Sequence, residues 1–243
     1  MKSAIVLSTL LIAGAASAQD RDWTYRATLY GWLPALSTTV DTRFGTIDQP
    51  SGSASDVLSA LEFAFMGTFL AQNGRLGFAA DLLYTDLSNT TATPFALYGD
   101  ADVGITVGAL SGYAMYRVSQ NSPVQFDLGG GFRTFRLNVT ADLSAGILPA
   151  DSQSFDATWT DPLLAARVIV PLNEKWFVAG FADYGGTSSD DQTYQVYGGV
   201  GYNFNPAWST QLGYRYMSLS HPVEAGNATI RLDGFLAAVS FNF

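Results

Sequence analysis

Apolar residues recur at every second position over long stretches of this chain, and clusters of Gly, Pro, Asn, Asp and Ser separate those stretches. A period of two puts one set of side chains on each face of a β-strand. From Ile230 to Phe243 the apolar set is Phe235, Ala237, Val239, Phe241 and Phe243, with Gly234, Ser240 and Asn242 between. The same pattern predicts strands at 22–33, 62–72, 75–87, 103–118, 124–140, 154–171, 176–185, 192–204 and 208–219. One face of each carries the large apolar side chains: Trp23, Tyr25 and Leu29 in the first, Phe63, Phe65 and Phe69 in the second, Leu76, Phe78, Leu82 and Tyr84 in the third. Later strands follow with Phe126, Leu128 and Phe132, then Leu164, Val168 and Val170, then Tyr194, Val196 and Val200, then Trp208, Leu212, Tyr214 and Tyr216. The pattern does not settle which face of 103–118 is which. The fold class is therefore all-β, an antiparallel up-and-down array of ten strands, with eight as the alternative count if one weak hairpin is loop.

The connections alternate strictly between short and long. Short turns fall at 73–74, 119–123, 172–175 and 205–207, and Asn73-Gly74 is a strong two-residue hairpin signal. Longer connections fall at 34–61, 88–102, 141–153, 186–191 and 220–227. In the longest, Pro34 is expected to end the first strand, residues 39–48 to form a small hairpin, and Ser55–Leu61 a short helix capped by Ser55.

Apolar outer faces on most strands suit a barrel surrounded by hydrocarbon, with aromatics at the strand ends as interfacial girdles. Trp23, Trp176, Phe204, Trp208 and Phe243 fall at one end, and Tyr30, Trp32, Tyr84, Tyr184 and Tyr216 nearer the other. The final stretch, with Phe235, Val239, Phe241 and the terminal Phe243, resembles the closing strand of bacterial outer-membrane β-barrels, in which such a run is the assembly signal. Tyr30-Gly-Trp32-Leu-Pro34, and Ser55-Asp56-Val57-Leu58 leading into Phe63-Ala-Phe65-Met-Gly67, make the chain similar to an uncharacterised group within the porin, OmpW and OmpA-barrel assemblage. The resemblance implies short turns on the periplasmic side and long loops outside. It also implies residence in the outer membrane of a Gram-negative envelope, contact with outer-membrane lipid and lipopolysaccharide, and delivery by periplasmic chaperones to the barrel-assembly machinery. It supplies no catalytic residue and no oligomeric state.

Composition agrees. Met1-Lys2, the apolar run Ala4–Ala15 and Ala16-Ser17-Ala18 read as a cleaved signal peptide over 1–18, leaving a barrel over 19–243. The apolar run is too short for a membrane anchor. Charged residues are only 14% and hydrophobic ones 48%, too apolar for a soluble surface. The net charge of −9 leaves no basic footprint, so nucleic acid is not expected as a partner. With no Cys in an exported chain, no disulfide framework supports the fold.

Charged residues on the inward set are the main chemical signal. Arg26, Arg75, Asp81, Asp127, Arg133, Asp161, Arg167, Asp183 and Arg215 form a charge ladder inside the lumen. Counting from the turns pairs Asp127 with Arg167, and Arg133 with Asp161 about 20 Å higher. Such a ladder reads first as the lining of a small porin-like channel for ions or small polar solutes. The alternative is a non-conducting structural or surface-interaction barrel, in which paired charges plug a narrow lumen, and energetics favour the plug because isolated buried charges are costly.

No metal site or cofactor is expected. Asp100-x-Asp102 and Asp190-Asp191 are acidic but lack the spacing of a calcium loop. Enzyme chemistry is not expected either. Ser220, His221 and Glu224 have the residue types of a triad, which keeps a barrel hydrolase or acyltransferase as a distant third reading, but Pro222 stiffens the wrong geometry. Gly129-Gly130-Gly131 and Gly198-Gly199-x-Gly201 lie within strands, where they leave room for neighbouring side chains.

Overall fold

In the computed structural model, which describes residues 23–42, 45–48, 52–92, 98–188, 190–223 and 226–243, the alternating segments become long antiparallel strands. In chain order these are β1 (Thr24–Thr42), β2 (Gly45–Asp48), α1 (Ala54–Ala60), β3 (Leu61–Asn73), β4 (Leu76–Ala92), β5 (Tyr98–Arg117), β6 (Gln125–Ala145), β7 (Asp151–Pro171), β8 (Trp176–Gly186), β9 (Gln192–Asn203), β10 (Trp208–Val223) and β11 (Gly226–Asn242). From β3 to β11 each strand pairs with the next, and β1 pairs with both β3 and β11. The result is a closed ten-stranded barrel, with β2 attached to β1 as a side hairpin. Closure leaves no exposed edge among the ten barrel strands. At the seam Tyr25 N–H donates to the Phe243 carbonyl at 2.9 Å, and Phe243 N–H returns the bond at 3.0 Å. Residues 1–18, read as a signal peptide, lie outside the described residues.

Side chains alternate across the wall. Leu29, Phe65, Phe78, Leu110, Leu164, Leu212 and Phe235 point out and are heavily exposed, Leu164 at 73%. Their inward neighbours, including Met66, Ser111, Met217 and Ala238, are buried. Beyond this apolar belt the outward face turns polar. Thr134 and Thr160 share a 2.8 Å hydrogen bond, Asn138 Nδ2 donates to Asp156 at 2.9 Å, and Thr106 donates to Asp86 at 3.0 Å. The belt spans about ten residues per strand, close to what hydrocarbon thickness demands. One end of the barrel carries the short turns and the first and last described residues, Trp23 and Phe243. The opposite end carries the long hairpins, tallest along β4–β7.

Several expectations are corrected. Pro34 does not end β1. It pairs with Gly234 on β11, and β1 runs on to Thr42. The ring nitrogen, which cannot donate, faces the β3 side, where β1–β3 pairing stops at Leu29–Gly67. Strands also run further at the hairpin end than the apolar alternation indicates, because above the belt both faces lose their contrast. The helix is capped by Ser53, not Ser55. Ser53 Oγ accepts from the Asp56 N–H at 3.3 Å, and Ser53 N–H donates to Asp56 Oδ2 at 2.8 Å. That capping box needs the acidic residue three positions on, which Ser53 has and Ser55 lacks. These Ser53 bonds hold the Asp56 carboxyl below the ordinary carboxylate range. Finally, Tyr30 and Trp32 are not girdle residues. They share the Arg26 face of β1, and Trp32 is only 3% exposed inside the barrel.

Candidate functional site: the closed waist of the lumen

The inward side chains form stacked layers. Nearest the turn end, Asp127 on β6 is buried and accepts from two guanidiniums. Arg167 on β7 reaches Oδ2 at 2.5 Å, and Arg117 on β5 reaches Oδ1 at 2.8 Å. Beside them Arg26 on β1 donates through Nε to Asn242 Oδ1 at 2.6 Å.

Higher, Asp81 on β4 accepts from Tyr30 Oη at 2.9 Å, from Thr68 at 3.0 Å and from Arg215 at 3.4 Å. Arg215 on β10 also donates to Tyr30 at 3.0 Å, and its guanidinium lies 4.8 Å from the centre of the Trp32 ring. Such a cation over an aromatic face is attracted by the ring quadrupole.

At the waist, Arg133 on β6 is fully buried. Its Nε donates to Ser111 at 3.0 Å, and Nη1 to Asp183 Oδ1 at 3.1 Å and to Thr193 at 3.0 Å. Nη2 donates to Tyr113 Oη at 3.0 Å and to Asp183 Oδ2 at 2.5 Å. All five guanidinium N–H groups are thereby used. Asp183 on β8 also accepts from Tyr113 at 2.7 Å and from Gln195 at 2.5 Å. Side chains from β5, β6, β8 and β9 thus meet across the lumen in one satisfied network, the condition under which a buried ion pair is tolerable.

Above the waist an aromatic stack crosses the bore. Phe135 lies 5.1 Å from Trp159, which lies 4.4 Å from His221. His221 Nδ1 is 2.8 Å from Asp191 Oδ1. Trp32, Met66, Leu83, Phe135, Met217 and Leu236 pack together as one apolar cluster.

The expected ladder is therefore regrouped. Asp127 and Arg167 are joined as expected from their register. Arg133 and Asp161 are register partners, yet they are not an ion pair. The long Arg133 side chain instead crosses to Asp183, while Asp161 Oδ1 is buried with no hydrogen-bond partner among the described residues. Arg215 pairs with Asp81 across the lumen. Arg75 is not in the lumen. It sits in the turn before β4 and donates to Tyr116 Oη at 3.1 Å on the outer face. Arg117 was missed because the facing of 103–118 is unreadable from alternation. Of the triad types at 220–224, Ser220 bonds Thr229 and His221 bonds Asp191, while Glu224 lies outside the described residues. Of the acidic loop candidates, Asp102 accepts from Thr90, and Asp191 from Thr187.

No protein-family model and no curated protein sequence matches the chain. Among solved structures it is similar to the outer-membrane protease OmpT from Escherichia coli, with a TM-score of 0.57, 10% identity, and coverage of 94% of this chain and 99% of that one. It also aligns with Ail, the attachment invasion locus protein of Yersinia pestis, in complex with the heparin analogue sucrose octasulfate, with a TM-score of 0.40, 11% identity, and coverage of 91% and 98%. Neisserial surface protein A gives a TM-score of 0.33 at 17% identity, covering 91% and 97%. At these identities the likeness is one of fold: the chain has the closed barrel fold found in bacterial outer-membrane proteins.

Proposed function

We propose that this chain is a closed, non-conducting barrel of the outer membrane that works through the hairpins at its far end. The observation that carries this reading is the waist. Arg133, Asp183, Thr193, Tyr113 and Ser111 are all buried and bonded to one another across the bore. For a hydrated solute to pass, that network must part. Removing one member of a buried pair typically costs about 3–5 kcal/mol because the other charge is left uncompensated. The charge ladder that suggests a selective channel in the sequence is better explained as a seal. In this reading the short turns and the last residues of the chain face the periplasm, and the tall β4–β7 hairpins lie outside, as short and long connections do in outer-membrane barrels. Their outward rungs, Thr134–Thr160, Asn138–Asp156 and Asp86–Thr106, suit contact with lipopolysaccharide headgroups or a polar external partner.

Liposome swelling tests this reading. Vesicles carrying refolded barrel should swell in isosmotic arabinose no faster than protein-free vesicles. Swelling that slows as the sugar grows from pentose to disaccharide would establish a pore and overturn it.

A second reading rests on His221. Its bond to Asp191 makes a histidine–carboxylate pair at the hairpin-end mouth, as an acid–base group requires, and the Escherichia coli structural neighbour is a protease. Peptide cleavage by the parent that disappears in His221→Ala would favour this reading.

A further inference from the structure

Below the waist the lumen is not filled. A cavity of about 200 Å³ lies between the Arg133 layer and the turn end. Its wall is largely apolar, with Leu70, Ile169 and Phe181 among its members, yet three guanidiniums line it: Arg26, Arg167 and Arg215.

The charge around this cavity does not balance. Arg167 shares the single carboxylate of Asp127 with Arg117. Arg215 has Asp81, at 3.4 Å. Arg26 has the amide oxygen of Asn242 and no carboxylate among the described residues. Four arginines therefore face two aspartates in the lower lumen. A second observation points the same way. Arg215 is 5% exposed, and its Nε has no hydrogen-bond partner among the described residues. A buried donor on a charged group without an acceptor is costly, and excess cations in an apolar enclosure draw a counter-anion.

We propose that this cavity binds a small aromatic or branched aliphatic monocarboxylate, the carboxylate set among the guanidiniums and the hydrocarbon part against the apolar wall. Size supports the class. A cavity of about 150 Å³ lined by aliphatic and aromatic side chains accommodates benzene, so the larger volume here takes a ring together with its carboxylate. Entry is from the turn end, where the Arg117 and Arg167 side chains keep 22% and 16% of their exposure. The site goes beyond the closed-barrel reading, and its occupancy is read separately from conductance.

Isothermal titration of the refolded, detergent-solubilised barrel with benzoate, benzyl alcohol and inorganic phosphate tests the proposal. Benzoate should bind saturably with a dissociation constant at least tenfold below those of both controls. Arg26→Gln should weaken benzoate at least tenfold and leave benzyl alcohol unchanged. Ala179→Leu, which adds bulk to the cavity wall, should weaken benzoate in a barrel whose guanidiniums are intact. The parent comparison needs no variant, so a misfolded substitution cannot rescue the idea. Absence of saturable benzoate binding, equal binding of benzyl alcohol, or equal binding of phosphate alone would overturn it.

Discussion

Asp183 and Asp161 face the same bore and are both buried, but their surroundings differ. Asp183 accepts from Arg133, Tyr113 and Gln195, whereas one Asp161 oxygen accepts from nothing among the described residues. Asp183→Asn should therefore destabilise the barrel by about 3–5 kcal/mol, since Arg133 stays buried without a counter-charge. Asp161→Asn should leave stability within about 1 kcal/mol of the parent or raise it. Denaturant unfolding followed by tryptophan fluorescence measures both, and equal losses would contradict the assignment of Asp183 as the partner of Arg133. Sequence alternation identifies which charges face inward on most strands, because a period of two is a local property. It does not identify their partners. Arg133 bypasses its register neighbour Asp161, and Arg215 reaches Asp81 from a strand remote in sequence. Those contacts depend on side-chain reach across a narrow lumen, which register alone does not encode. Trp32 shows the same gap: its even position places it inward with Arg26, but its aromatic character suggests a girdle until the cation beside it is seen.

At the scale of the strand, close pairing is set by what glycine omits. Gly131 on β6 faces Tyr113 on β5 in register, and a Cβ at this position would collide with the Gly112 carbonyl oxygen. Gly31 on β1 has nothing within 4 Å of where its Cβ would stand. Gly131→Ala should cost about 1–3 kcal/mol through forced separation of β5 and β6, while Gly31→Ala should be near neutral. The fraction keeping compact, heat-modifiable mobility on unheated gels, across a urea series, separates the two. Strand number and the alternation of short and long connections are legible because turn signals such as Asn73-Gly74 and Asn205-Pro206 are local and strong. Strand ends at the hairpin side are not, since above the belt neither face is uniformly apolar. Pro34 misleads for a related reason: a proline breaks a strand only where its nitrogen must donate, and on that side Pro34 itself has no pairing partner among the described residues.

For the molecule as a whole, belt and bore carry opposite logic. The outside carries an apolar belt of exposed side chains, which suits hydrocarbon contact, and the inside carries bonded ion pairs and an aromatic stack above an open cavity. A ten-stranded barrel is narrow enough for side chains from opposite walls to meet, and here they do. The central claim is that this meeting seals the bore. Single-channel recording of the refolded barrel in planar bilayers tests it most directly, with Arg133→Ser/Asp183→Ser beside the parent. The account predicts a silent parent, with any openings confined to the double serine variant. Steady openings by the parent, with an ion preference that shifts in Asp127→Asn, would mean that the ladder lines a conducting pore.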